Sequence, residues 1–312
     1  MRITQNSMNR TQMSGLNSSL ERLQKTQEQL TSGKRLNRAS DSPVDTVSAM
    51  RLRDQQRSLS TLGDNIKDGM SRMQAADDAL TRSQTMLNKV RQLVVAGANG
   101  TNGPLQREAY ANEINQIREG LVQLANTKYA EQPVFGGTTT QANAFDPTTG
   151  VFQGNDEAVW RKVTEADGAA GDINIAVSGK AAFGNPAGTG PGLLDKTGDP
   201  ATTGLLDRIV SHLTSTDPAD QAKLQADLAD LDKAAEKLSS ASSTVGARVN
   251  RLNAMEDLNG RLDDGAAIAL SKVEDVDFIK AAMDLNIQSN AYNAALQASA
   301  KIIQPSLMDF LR

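Results

Sequence analysis

Apolar side chains recur at helical intervals at both ends of the chain. From Met13 they fall at Leu16, Leu20, Leu23 and, past Gln27, Leu30, in alternating steps of three and four. A longer run joins Leu59, Leu62, Ile66, Met73, Ala76, Leu80, Leu87, Val90 and Val94, with Gly69 and Ser83 at its two gaps. The rhythm returns at Leu224, Leu228, Leu231, Ala235, Leu238, Ser242, Val245, Val249 and Leu252, and once more at Tyr292, Leu296, Ser299, Ile303, Ser306 and Phe310. A step of about 3.5 residues keeps one seam of a helix against a partner helix. One such run would be an ordinary core helix. Repeats at both ends predict that the two ends pack together as a coiled-coil-like bundle, a plan that suits an assembly part better than an enzyme.

Turn residues divide these runs. Gly33 supplies the left-handed residue that ends a helix. Ser42-Pro43-Val44-Asp45 reads as a start, with a capping hydroxyl, proline at the first position and a carboxylate near the positive end of the dipole. Asp217-Pro218-Ala219-Asp220 repeats the device. Asn102-Gly103-Pro104 separates the long second helix from a third with the seam Tyr110, Ile114, Ile117, Leu121 and Leu124.

Residues 131–204 change character, holding 13 of the 24 glycines and five of the nine prolines. Residues 151–153, 158–163 and 173–177 read as strands, the last by period-two alternation, and 183–204 as a mobile loop. The predicted fold is mainly α with an inserted β-rich domain. Residues 1–40 and 275–312 form terminal assembly helices, 41–130 and 205–274 a helical bundle domain, and 131–204 the insert, of which 138–200 are expected mostly to face solvent and to contribute little to assembly.

Composition narrows the function. Without cysteine there is no disulfide or thiolate chemistry. No apolar run approaches the roughly 18 residues of a membrane span, and no signal-peptide stretch opens the chain; this reads as cytoplasmic unless an export route ignores such signals. A net charge of −4 gives no general attraction to nucleic acid. Residues 1–60 carry ten basic and five acidic side chains, residues 251–312 six and nine, so the two ends also attract weakly.

Candidate chemistry is sparse. His212 is the only histidine and is expected on a helix surface, with no multi-histidine metal site. Glycines 184, 188, 190 and 192 lack the Lys-Ser/Thr of a phosphate loop. Asp77-Asp78 and Asp263-Asp264 read as solvated faces. Arg35 and Arg38 stand beside Asp41 and Asp45 and are expected to organise a turn. No catalytic, metal or cofactor site emerges. One other feature does: between Asp284 and Lys301 there is no charge, and Arg10 is the only one in residues 3–19. Helices surrounded by other helices cannot hold unpaired charge, whereas amide and small side chains pack closely.

The stretch Leu30-Thr-Ser-Gly-Lys-Arg-Leu-Asn-Arg-Ala-Ser-Asp-Ser-Pro43 resembles the N-terminal signature of bacterial flagellins, with Ser32, Gly33, Arg35, Asp41 and Pro43 marking its turn. Ala291-Tyr-Asn-Ala-Ala-Leu-Gln-Ala-Ser-Ala-Lys-Ile-Ile-Gln-Pro-Ser-Leu-Met-Asp-Phe-Leu311 resembles the other end of that family. Met1-Arg-Ile-Thr-Gln-Asn-Ser-Met8, Phe135-Gly-Gly-Thr-Thr-Thr140 with Phe145, and Phe152-Gln-Gly-Asn-Asp156 are similar to its hook–filament junction members, with Gly136 and Thr139 departing from their pattern. The resemblance implies a non-enzymatic part of the extracellular flagellum, exported by the flagellar type III route after a transient cytoplasmic stage. Its assembly residues would be Leu16, Leu20, Leu23 and Leu30 on one terminal helix, and Tyr292, Leu296, Ile303, Leu307 and Phe310 on the other. Terminal helices would form an inner tube, with the helical and β domains outside it. Implied partners are like subunits in a ring or tier, a neighbouring hook-associated protein, flagellin, and an export chaperone at the C-terminal region; no nucleic acid, membrane or cofactor is implied. Two alternatives stay open: a filament-forming flagellin, and a soluble coiled-coil signalling scaffold, which would lack the terminal signature.

Overall fold

A computed structural model describes residues 5–99, 102–165, 171–184, 191–196 and 203–310 and, outside 5–9, 218 and 301–310, their side chains. The described elements are α1 (Gln5–Ser32), α2 (Pro43–Gly97), α3 (Pro104–Ala125), β1 (Lys128–Tyr129), β2 (Gln132–Pro133), β3 (Trp160–Lys162), β4 (Asp172–Asn174), α4 (Gly179–Phe183), α5 (Leu205–Thr214), α6 (Pro218–Glu274) and α7 (Phe278–Phe310). The chain is mainly α, with long helices at both ends and two small antiparallel sheets, β1–β2 and β3–β4. Contacts divide it into two units. The terminal unit is Met1–Leu59 with Arg261–Arg312; the central unit is Ser60–Gly260.

Helix ends follow the turn chemistry. Gly33 adopts φ +70°, which a side chain resists, and α1 stops at the residue before it. α2 opens on Pro43, where the Ser42 hydroxyl accepts the Asp45 N–H at 3.4 Å. At the start of α6, Asp217 Oδ1 accepts the Ala219 N–H at 2.9 Å.

In the central unit the long apolar run of α2 is buried along its whole length, from Leu62 and Ile66 to Val90 and Val94, and Leu59, the last residue of the terminal unit on this helix, is buried as well. Ser83 fits among these residues because its hydroxyl donates to the Ala79 carbonyl at 2.7 Å. α6 contributes Leu224, Leu231, Leu238, Val245 and Leu252, all buried. Arg91 on α2 pairs with Asp232 on α6 at 2.7 Å, and Lys89 with Glu113 on α3 at 3.4 Å. Such exposed pairs contribute tenths of a kcal/mol, so the aliphatic seams hold the helices together.

The insert does not behave as a solvent-facing appendage. Val134, Phe135, Phe145, Val163, Ile173, Ile175, Phe183, Leu193 and Leu194 are buried in one cluster with the helical leucines. Phe183 meets Phe135 and Phe145 edge-on, at centroid separations of 5.4 and 5.6 Å. Helical side chains also satisfy the insert's backbone. Buried Arg72 donates to the Pro133 carbonyl at 3.1 Å and buried Arg118 to that of Leu194 at 3.0 Å. Asn126 grips Phe145 twice, donating to its carbonyl at 2.9 Å and accepting its N–H at 2.8 Å. The expectation that 138–200 mostly faces solvent is therefore narrowed: one side of the segment is a packed core on the helices, while most of its described residues stay exposed or half-buried. Five of the chain's ten aromatic residues lie in 131–204, and aromatic bulk seeks a core.

The strands are shorter than expected. The stretch 151–153 reduces to one bridge between Phe152 and Phe145, 158–163 to β3, and 173–177 to β4 at its start. Within the expected loop 183–204, Leu193 and Leu194 are buried, while Gly188 and Gly190 lie outside the described residues. His212 is half-buried rather than freely exposed. Its Nδ1 lies 2.5 Å from Asp227 Oδ2, and Arg208 Nε donates to the other oxygen at 2.8 Å. The Asp227 carboxylate is buried, so the imidazole and guanidinium tie α5 to α6.

Candidate assembly surface

The terminal unit is built around a turn and a helix pair. α1 packs along α7, and buried Thr26 fixes their register by donating to Gln288 Oε1 at 2.9 Å. Leu16, Leu20, Leu23 and Leu30 are half-buried on α1, as is Tyr292 on α7, while Leu296 stays 41% exposed. The backbones of Ile303, Leu307 and Phe310 belong to α7; their side chains lie outside the described residues.

After Gly33 the chain crosses the break between α6 and α7. Lys34 and Asp275 form an antiparallel bridge, Arg35 N–H donates to the Glu274 carbonyl at 2.6 Å, and Val276 N–H donates to that of Gly33 at 3.0 Å. The Glu274 side chain is only 3% exposed and receives Lys34 Nζ at 2.9 Å and Arg53 Nη2 at 2.6 Å. Burial alone would raise its pKa, but the hydrogen bonds from Arg53 and Lys34 prevail and hold it below the usual carboxylate value.

Arg35 reaches Asp45 at 2.9 Å and the Val273 carbonyl at 2.8 Å, which lowers the Asp45 carboxyl. Asp41 accepts the N–H groups of Asn37 at 3.2 Å and Arg38 at 3.0 Å and pairs with Lys25 at 2.8 Å; the Lys25 hydrogen bond is the main cause of its lowered pKa. Arg35 thus organises the turn with Asp45. Arg38 contributes its N–H to Asp41, while its guanidinium turns to Glu28 at 3.3 Å. Ser32 accepts the Lys34 N–H at 3.1 Å, and Pro43 opens α2 on the far side. Glu274 and Arg53, the centre of this cluster, were missed from sequence; nothing local marks a carboxylate whose Lys34 partner is 240 residues away.

The described part of the terminal unit has almost no core. Among its described residues, the buried apolar side chains are Ala49, Leu59, Ala266 and Ala281. Eleven large apolar side chains in the same unit are exposed, including Val44, Val47, Met50, Phe278, Ile279, Met283 and Ile287. A soluble monomer rarely leaves this much apolar surface on so small a unit. Among the described residues no group of three or more His, Cys, Asp or Glu side chains is arranged to hold a metal ion, and no helix is long and apolar enough to cross a membrane. What this unit offers is surface for contact rather than groups for chemistry.

Residues 3–140 match the bacterial flagellin N-terminal helical region. A flagellin of Clostridium tyrobutyricum is 32% identical over 127 residues, covering 41% of this chain and 34% of its own; against relatives of that kind the chain spans about a third of their length. Through its N-terminal residues the chain is thus similar to bacterial flagellins.

One whole-length likeness is to flagellar hook-associated protein 3 of Salmonella typhimurium, 25% identical over 96% of this chain and 95% of its own. A flagellin of Bacillus subtilis is 28% identical over the full length of both chains. The fold is that of flagellar hook-associated protein 3 from Legionella pneumophila, with a TM-score of 0.59 and 16% identity over 72% of this chain and 98% of that one.

Proposed function

We propose that the chain is a junction adaptor of the bacterial flagellum, joining a hook-associated protein to the flagellin filament and assembling into a ring or tier through its terminal helices. The observation that carries this reading is the terminal unit itself, which among its described residues has four buried apolar side chains against eleven large exposed ones. Such a unit needs neighbours. The whole-length likeness to hook-associated protein 3 supports the junction in particular. Residues 131–204 form an outer domain in this reading, anchored on the helical bundle. Export proceeds by the flagellar type III route, with a chaperone on the C-terminal region beforehand, and the assembled protein is extracellular.

Electron microscopy of a strain lacking the chain tests this. Hooks without filaments, with flagellin leaking into the medium, are expected; normal filaments would refute the proposal. A filament-forming flagellin is the second reading, favoured by the whole-length match to the Bacillus subtilis protein. It predicts that the strain loses the filament subunit itself, so that no flagellin accumulates in the medium.

A further inference from the structure

Two of the exposed apolar groups form stripes on separate helices of the terminal unit. On α2, Val44, Val47 and Met50 share a face with Arg51, all within about 120° of the helix circumference. On α7, Ile279, Met283 and Ile287 succeed one another every four residues within about 80°. Ile279 is 77% and Ile287 63% exposed, so the stripe on α7 is not the one it turns toward α1. Each stripe is bare in the folded chain, so neither covers the other within one molecule.

The chain segments that carry them have net charges of opposite sign. Glu274 is already neutralised by Lys34 and Arg53. With those three set aside, residues 10–59 keep seven basic and five acidic side chains, while residues 261–300 keep three basic and five acidic. A stripe in a net positive setting repels its own copy and attracts one in a net negative setting. We propose that the Val44–Val47–Met50 stripe of one copy docks on the Ile279–Met283–Ile287 stripe of the next. The contact is heterologous, one surface meeting a different one, and its repetition gives a ring or a helix of subunits rather than a closed dimer. The inference rests on the self-assembly reading above and names the surfaces that carry it.

The chain has no cysteine, so single thiols report the contact cleanly. Full-length V47C and M283C variants, one carrying a size tag, are assembled together and treated with a short bismaleimide. The mixture is expected to yield the mixed dimer, each variant alone no dimer, and the V47C/M283C double variant a ladder of multimers. As a second measurement, V47E is expected to lose about tenfold or more of the sedimenting fraction, since an unpaired carboxylate enters the contact, and V47E/M283K to regain most of it. Circular dichroism checks that each variant keeps its helices. Self-linked dimers of either single variant, or sedimenting assemblies without mixed links, overturn the pairing while leaving self-assembly intact. A wild-type chain that stays monomeric under all assembly conditions overturns both.

Discussion

Arg53 on α2 reaches Glu274 at the end of α6 at 2.6 Å, and Lys34 approaches the same buried carboxylate from the turn after α1. Three separate parts of the chain therefore meet at one side chain. Replacing Glu274 by alanine leaves two cations without their counter-charge at the level where α1 ends and α7 begins. Both cations are half-exposed, which brings the cost below that of a fully buried pair, to about 2 kcal/mol. Hydrogen exchange should accelerate at the Arg35 and Val276 amides, which depend on this turn, and stay unchanged in the central unit.

The same cluster sets an acid dependence. Glu274, Asp41 and Asp45 all have folded-state pKa values below their ordinary values of 4.5 for Glu and 3.8 for Asp. Their contribution is complete above those ordinary values and disappears as pH falls through the lower folded ones. The stability difference between wild type and E274Q should therefore be full near neutrality and shrink below about pH 4.5. A difference that grows on acidification would contradict this direction.

At Gly33 the expected cost is conformational. A methyl there would meet the Phe278 ring at 3.5 Å, an ordinary contact, so only the φ of +70° resists substitution. Gly33→Ala should cost about 1 kcal/mol and Gly33→Asn less, because asparagine tolerates the left-handed region. Thermal unfolding of the three proteins ranks them.

Glycines inside helices separate into two kinds. A Cβ at Gly97 would come within 2.4 Å of the Leu213 side chain, whereas one at Gly246, Gly260 or Gly265 would meet nothing. Gly97→Ala should destabilise the protein. Each of the other three alanine variants should stabilise α6 by about 0.5–1 kcal/mol, as read from melting of the full chain.

Cutting out the insert should be damaging. Replacing 138–200 by a Gly-Ser linker strips Phe135 of Phe183 and frees the Asn126 fork and Arg118 of their carbonyl partners. Circular dichroism and ANS binding should report a central unit with loosened packing. Arg72→Ala, which orphans the Pro133 carbonyl, should cost about 1–3 kcal/mol on its own.

The helical seams were legible because their period is local: from Leu59 to Val94 the positions read as buried are buried. Gly69 was legible only as a gap. Its reason is the Ile175 methyl, 3.2 Å from where a Cβ would stand, on a segment more than 100 residues later. The β1–β2 hairpin was missed because its turn is Ala130-Glu131, both at positive φ, in place of the Asn-Gly that announces such turns. The aromatic core of the insert was missed because Phe135, Phe145 and Phe183 are scattered among glycines and prolines and follow no period. Of the proposed assembly surface, the uncharged ends and the turn could be read, but not the Glu274 cluster, whose members attract only once folding has brought them together.

The scarcity of core in the terminal unit makes dilution a variable of its structure. If neighbours supply the missing burial, the stability of α1 and α7 rises with the amount of chain present, by mass action, instead of being a fixed property of one molecule. A lone subunit then holds its ends weakly, and the first contact with an existing surface tightens them for the next arrival. Growth from a seed is favoured over nucleation in free solution, and where the seed stands decides where the protein is found.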